Sequence, residues 1–89
     1  MEQKACPVDV IALYSTNGDM RPLRFRMEDE DSQFLCVDIE QIVSCREIQY
    51  VGIEARVFLC YATIEGKRWL FELRYMIRNH SWDLIRKVY

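Results

Sequence analysis

The residues Ala55 to Met76, ARVFLCYATIEGKRWLFELRYM, read as two strands and the turn that joins them. Val57, Phe58, Leu59, Tyr61, Thr63 and Ile64 all suit a pleated surface, so Ala55 to Ile64 is expected to be a central strand. Glu65-Gly66-Lys67 supplies a short hairpin connection. Beyond it Trp69, Phe71, Leu73 and Tyr75 alternate with Leu70, Glu72 and Arg74. A period of two sorts side chains onto opposite faces of a strand, whereas a helix would repeat every three or four residues.

The same grammar extends in both directions. Asn79-His80-Ser81 makes a turn, and Trp82, Leu84, Arg86 and Val88 then alternate with Asp83, Ile85 and Lys87 in a last strand. Upstream, the β-branched run Val8 to Tyr14 stops at Ser15-Thr16-Asn17-Gly18-Asp19, where Asn-Gly offers the positive φ angles of a tight hairpin turn. After Pro22, Leu23, Phe25 and Met27 are expected on one face, with Arg24 and Arg26 on the other. The acidic run Glu28-Asp29-Glu30-Asp31-Ser32 favours a solvated loop, and Gln33 to Ile39 resumes as a strand. Asp38 to Tyr50 is ambiguous: Ile39, Ile42, Val43 and Arg46 have helix-like spacing, yet a bent strand fits as well and is the preferred reading. Gly52 ends that stretch.

Five or six strands on short turns can bury a face in so small a chain only if the sheet curls onto itself or a second sheet covers it, and a small barrel is the more economical of the two. The expected fold is therefore all-β, a small five- to six-stranded antiparallel, SH3-like, partly open barrel. An α+β roll with a short helix near residues 39–50 is the alternative. Eighty-nine residues suffice for one hydrophobic core, so residues 1–89 are taken as a single domain, with 1–7 as a loose N-terminal arm. The order of a V-D-V-I-A strand, an N-G turn, Pro22-Leu23-Arg24-Phe25-Arg26, an acidic loop, an aromatic hairpin and a terminal W-x-L resembles a family of small uncharacterised proteins from anaerobic Gram-positive bacteria. That resemblance covers Val8 to the C-terminus. It implies a free-standing bacterial domain and brings no activity with it.

Composition narrows the function classes. A chain that is 51% hydrophobic, with 3 Gly and 2 Pro, is neither disordered nor collagen-like. Cys6, Cys36, Cys45 and Cys60 are separated by 30, 9 and 15 positions, so no C-x-x-C pair exists for zinc or thiol exchange. The N-terminal segment lacks the basic and apolar regions of a secretion signal, and no stretch approaches the ~18 apolar residues of a membrane span. The expectation is a cytoplasmic protein with free cysteines acting as small hydrophobes, and no membrane partner.

Motifs for chemistry are weak. Asp29, Asp31, Gln33 and Glu40 fall at positions 1, 3, 5 and 12 of a calcium-loop frame, but Phe34 stands where the sharp turn needs Gly, so no metal is expected. His80, Ser81 and Asp83 are nominally a triad, yet on a strand His80 points away from the other two. Cys36 and Cys60, inside strands, are expected to be buried and inert. No phosphate- or dinucleotide-binding motif occurs, so no catalytic residue and no cofactor are assigned, and the protein is not expected to be an enzyme.

Charge divides the chain more clearly. Residues 28–54 carry eight acids against one base, and residues 55–89 seven bases against three acids, while nine of the twelve bases are Arg. Arg24, Arg26 and Arg74, with Tyr61 and Tyr75 as exposed aromatics, are the candidate surface for a partner or for single-stranded nucleic acid bound by phosphate contacts and stacking. A net charge of −2 argues against nucleic acid. The plainer reading makes the arginines the outer face of the sheet, paired with Glu28, Glu72 and their neighbours. Phe25, Phe34, Phe58, Phe71, Trp69 and Trp82 are expected in the core. The preferred function is a small non-enzymatic β module for protein interaction or an accessory role, with an unidentified protein partner and self-association through an edge strand as a further possibility.

Overall fold

Six strands follow one another along the chain: β1 (Cys6–Tyr14), β2 (Met20–Glu28), β3 (Phe34–Tyr50), β4 (Ile53–Ile64), β5 (Lys67–Met76) and β6 (Ser81–Lys87). They are seen in a computed structural model that describes residues 5–28 and 31–88. Each strand pairs antiparallel with the next, and β6 returns to β1, closing a barrel in the order β1-β2-β3-β4-β5-β6. The architecture is all-β and consistent with an SH3-like small barrel. The ambiguous segment 39–50 is strand, and no helix occurs among the described residues, so the α+β alternative falls. Nor is any helix there long and apolar enough to cross a membrane. β1 begins inside the stretch read as a loose arm: Cys6 and Pro7 pair with Leu84 and Asp83, and residues 1–4 lie outside the described residues.

The turns show why the strands stop where they do. Glu65 (φ 50°) and Gly66 (φ 79°) both take left-handed angles, the two-residue geometry whose twist matches the flanking strands. At Ser15 to Asp19 only Gly18 is left-handed (φ 89°), and the Gly18 N–H donates to the Ser15 carbonyl at 3.0 Å, so the loop is a turn closed by glycine and Asn17 keeps a negative φ.

The interior is built from Phe25, Val37, Phe58, Cys60, Ala62, Phe71, Leu73, Tyr75, Trp82 and Leu84. Phe25 meets Phe71 edge-on at 5.4 Å between ring centres, and Trp82 lies between Phe58 (5.7 Å) and Tyr75 (4.9 Å). Such aromatic contacts supply large apolar area with few rotatable bonds.

Three expectations about faces are corrected. Leu23 is exposed, because the β1–β2 register skips it: Ile11 pairs with Arg24 and Ala12 with Pro22, so Leu23 bulges and Met20 and Pro22 take the inward places. Phe34 is 64% exposed because Leu35 and Val37 hold the inward phase of β3, which turns Phe34 outward with Cys36 and Asp38. Cys36 is accordingly exposed and not buried, while Cys60 is buried as expected. Trp69 is half-buried, with the Lys67 and Lys87 ammonium groups 4.2 and 3.8 Å from its ring centre.

Candidate functional site

The five candidate residues do not converge. Arg24 and Arg26 stand side by side on the outer face of β2, and each is taken by a carboxylate on a neighbouring strand: Arg24 Nε donates to Asp38 on β3 and Arg26 Nη2 to Asp9 on β1, both at 2.5 Å. The bond to Asp38, and then the carboxylate's charge, raise the Arg24 pKa further. Arg26 also covers the Phe34 ring, 4.3 Å from its centre. Arg74 is across the barrel on β5, donating to Asp83 on β6 at 3.1 Å. Pairing across strands is thus the rule, with Asp38, Asp9 and Asp83 as the partners where Glu28 and Glu72 were expected. Glu72 instead lies between Arg46 (3.8 Å) and Arg86 (3.5 Å). No single basic patch joins these side chains.

The two tyrosines separate as well. Tyr61 is half-buried on β4, its ring 4.0 Å from the Arg68 guanidinium. Tyr75 is buried at 7% exposure, which corrects its assignment to an exposed face: it continues the inward row Phe71, Leu73, Tyr75 of β5. Its hydroxyl lies 2.8 Å from His80 Nδ1. Burial, and then Tyr14, raise the Tyr75 pKa. This Tyr14-Tyr75-His80 group escapes sequence reasoning, since it joins residues from β1, β5 and the following turn. The only signal for it is His80 placed five residues after an inward Tyr75, at a turn that brings the ring back (φ 53°).

The group borders a cleft of about 740 Å³ lined by Pro7 to Ala12, Tyr14, Tyr75 and His80 to Trp82. The cleft exists because the β1–β6 seam is only three pairs long, Cys6 to Val8 against Leu84 to Trp82. Beyond Val8, β1 pairs with β2 alone. Among the described residues no three His, Cys, Asp or Glu side chains gather as a metal site, and Asp29 and Glu30 of the acidic run lie outside them.

A second feature lies on the β3–β4 hairpin. β3 pairs with β2 only from Phe34 to Asp38, and from Ile39 to Tyr50 it pairs with β4 alone. The upper half of β3 is therefore a sheet edge in an otherwise closed barrel. Exposed apolar side chains lie along this hairpin: Val43 (47% exposed) within β3, and Tyr50 (73%), Val51 (105%) and Ile53 (46%) around its tip. Ile48 is half-buried on the outer surface, in a row with Ala55 of β4 and Met76 of β5. On the opposite surface Glu47 is 3.6 Å from Arg56, and burial raises the Cys45 thiol pKa. Compared with known proteins, the chain matches no family model, no curated protein and no solved structure.

Proposed function

We propose that this protein is a non-enzymatic interaction module that docks on another protein through the β3–β4 hairpin. The observation that carries the reading is the coincidence, on one hairpin, of an unpaired strand edge with four exposed apolar side chains, Val43, Tyr50, Val51 and Ile53. Exposed apolar groups scattered singly are ordinary, whereas Tyr50, Val51 and Ile53 adjoin at the hairpin tip, and an apolar cluster beside free backbone donors and acceptors is the surface that strand addition uses. The arginines support the same reading from the other side, since Arg24, Arg26 and Arg74 are each engaged by an aspartate and are poorly placed to take phosphates. The four thiols, none in a disulfide, fit the reducing cytoplasm in which we place the protein.

The test compares three baits for capture of proteins from an extract: wild type, Tyr50→Ser/Val51→Ser/Ile53→Ser, and Arg24→Glu/Arg26→Glu. Capture lost only in the hairpin variant supports the reading. Binding of single-stranded DNA or RNA that weakens with salt and vanishes in the arginine variant would replace it with a nucleic-acid module.

A further inference from the structure

We infer that the hairpin's partner is a second copy of this chain, joined edge to edge along β3 with a two-fold axis at Ile48. This rests on the reading of the hairpin as the docking surface and names what docks there.

The free length of the edge is short. Between Ile42 and Ser44 the register with β4 slips past Val43, so the regular edge runs from Ser44 to Tyr50. Tyr50 pairs with Ile53 around the two-residue Val51-Gly52 turn, and this closing pair is hydrogen-bonded in a hairpin of that length. Alternation then directs the backbone groups of Ser44, Arg46, Ile48 and Tyr50 toward β4. Those of Cys45, Glu47 and Gln49 point away from the sheet, ready for another strand.

Two antiparallel copies related by a two-fold axis through the sheet must keep their faces, so one residue sits opposite itself. Charge and overlap select which: an axis at Gln49 opposes no like charges but keeps only Ile48 to Tyr50 of the regular edge in register. An axis at Arg46 or at Glu47 sets like charges directly opposite each other, which is destabilising. An axis at Cys45 carries the ladder into the slip at Val43 and sets Val43 against Glu47 and Tyr50 against Glu40. With the axis at Ile48, Ile48 meets Ile48, Arg46 meets Tyr50, Glu47 meets Gln49, and Cys45 meets Val51 of the second copy. Every like-charge opposition disappears, and arginine lies over an aromatic ring.

The same register extends a row that each copy already holds across its outer face, with Ala55 buried between the half-buried Ile48 and Met76. The outer row Met76-Ala55-Ile48 becomes one apolar row running through the axis from sheet to sheet. The exposed Tyr50 and Val51 are covered by the partner copy's Arg46 and Cys45. Such an interface is at the small end of specific ones, near ~1,200 Å² in total, so the dimer is expected to form in the micromolar range.

Sedimentation equilibrium of the whole chain in reductant, from about 1 to 500 µM, reads the association. Wild type is expected to pass from monomer to dimer, and Ile48→Arg, which sets two cations on the axis, to stay monomeric. Since Ile48→Arg alters a half-buried position, Gln49→Pro provides a second variant: it removes an outward N–H and leaves the β4 ladder intact. It too is expected to stay monomeric, with a cooperative melt showing that it folds. In a Cys6→Ser/Cys36→Ser/Cys45→Ser background, Ile48→Cys is expected to form an intermolecular disulfide faster than Glu47→Cys or a restored Cys45. A self-opposed residue in the wide pair lies about 4.5 Å from its mate, within disulfide reach. A wild type that is monomeric throughout overturns the inference and leaves the hairpin available to a different protein. A dimer that survives both variants, or cross-linking fastest at 45 or 47, also overturns it.

Discussion

Cys60 shows how one buried atom sets a pH dependence. Its side chain is fully enclosed between Phe58 and Phe71, its Sγ 3.8 Å from the Phe71 carbonyl, and burial pushes the thiol up to about 11. The unfolded chain gives up that proton near pH ~8.5. The folded state therefore binds the proton more tightly, and the stability this contributes is complete below about pH 8.5 and lost as pH rises toward 11. Denaturant titrations across that window are expected to show a fall of about 3 kcal/mol, much reduced in Cys60→Ala. Tyr75, also raised by burial, adds to the loss at still higher pH. Labelling of native protein with a thiol reagent at pH 8 is expected to modify Cys6 and Cys36 readily, Cys45 more slowly, and Cys60 only on unfolding. At this scale the sequence was only half legible. That Cys60 is buried follows from its place in an apolar run. That Cys36 is not follows from the phase of β3, which only the count from Val37 inward reveals.

At the scale of elements, turns and bulges decide the outcome. The β4–β5 hairpin was readable because Gly66 and a strict alternation agree. The first residue of its turn, Glu65, is held at φ 50°, where a side chain with its own backbone affinity fits better. Glu65→Asn is expected to stabilise the protein by about 0.5 kcal/mol, read as a higher melting temperature, and Glu65→Val to destabilise it by about 1 kcal/mol. The phase of β2 was not readable beyond Phe25, because the bulge at Leu23 arises from how β1 and β2 meet and has no local signature. The helix-like spacing of Ile39, Ile42 and Val43 has the same origin. Two register slips, past Glu40 and past Val43, break the alternation of a strand that stays paired to β4 from Ile39 to Tyr50.

The whole molecule is a barrel closed by a short seam and left unpaired along one edge. Trp82 fastens the seam from inside, paired with Val8 and packed on Phe58 and Tyr75. Trp82→Ala is expected to cost about 3–5 kcal/mol in denaturant unfolding, through lost contacts and the cavity left behind. A small barrel was expected from strand number and chain length, though a partly open one, and the β1–β6 seam closes it. The exposed edge was not located by the sequence, because it depends on β2 leaving β3 after Asp38 while β4 continues, a mismatch of strand lengths across the sheet. Self-association depends on that edge. Amide hydrogen exchange of the native protein, followed residue by residue at about 10 and 500 µM, tests it most directly. The outward amides of Glu47 and Gln49 are predicted to exchange fast when dilute and to become protected when concentrated, while those of Arg46 and Ile48, bonded to β4, stay protected in both. Fast exchange of Glu47 and Gln49 at both concentrations would contradict it.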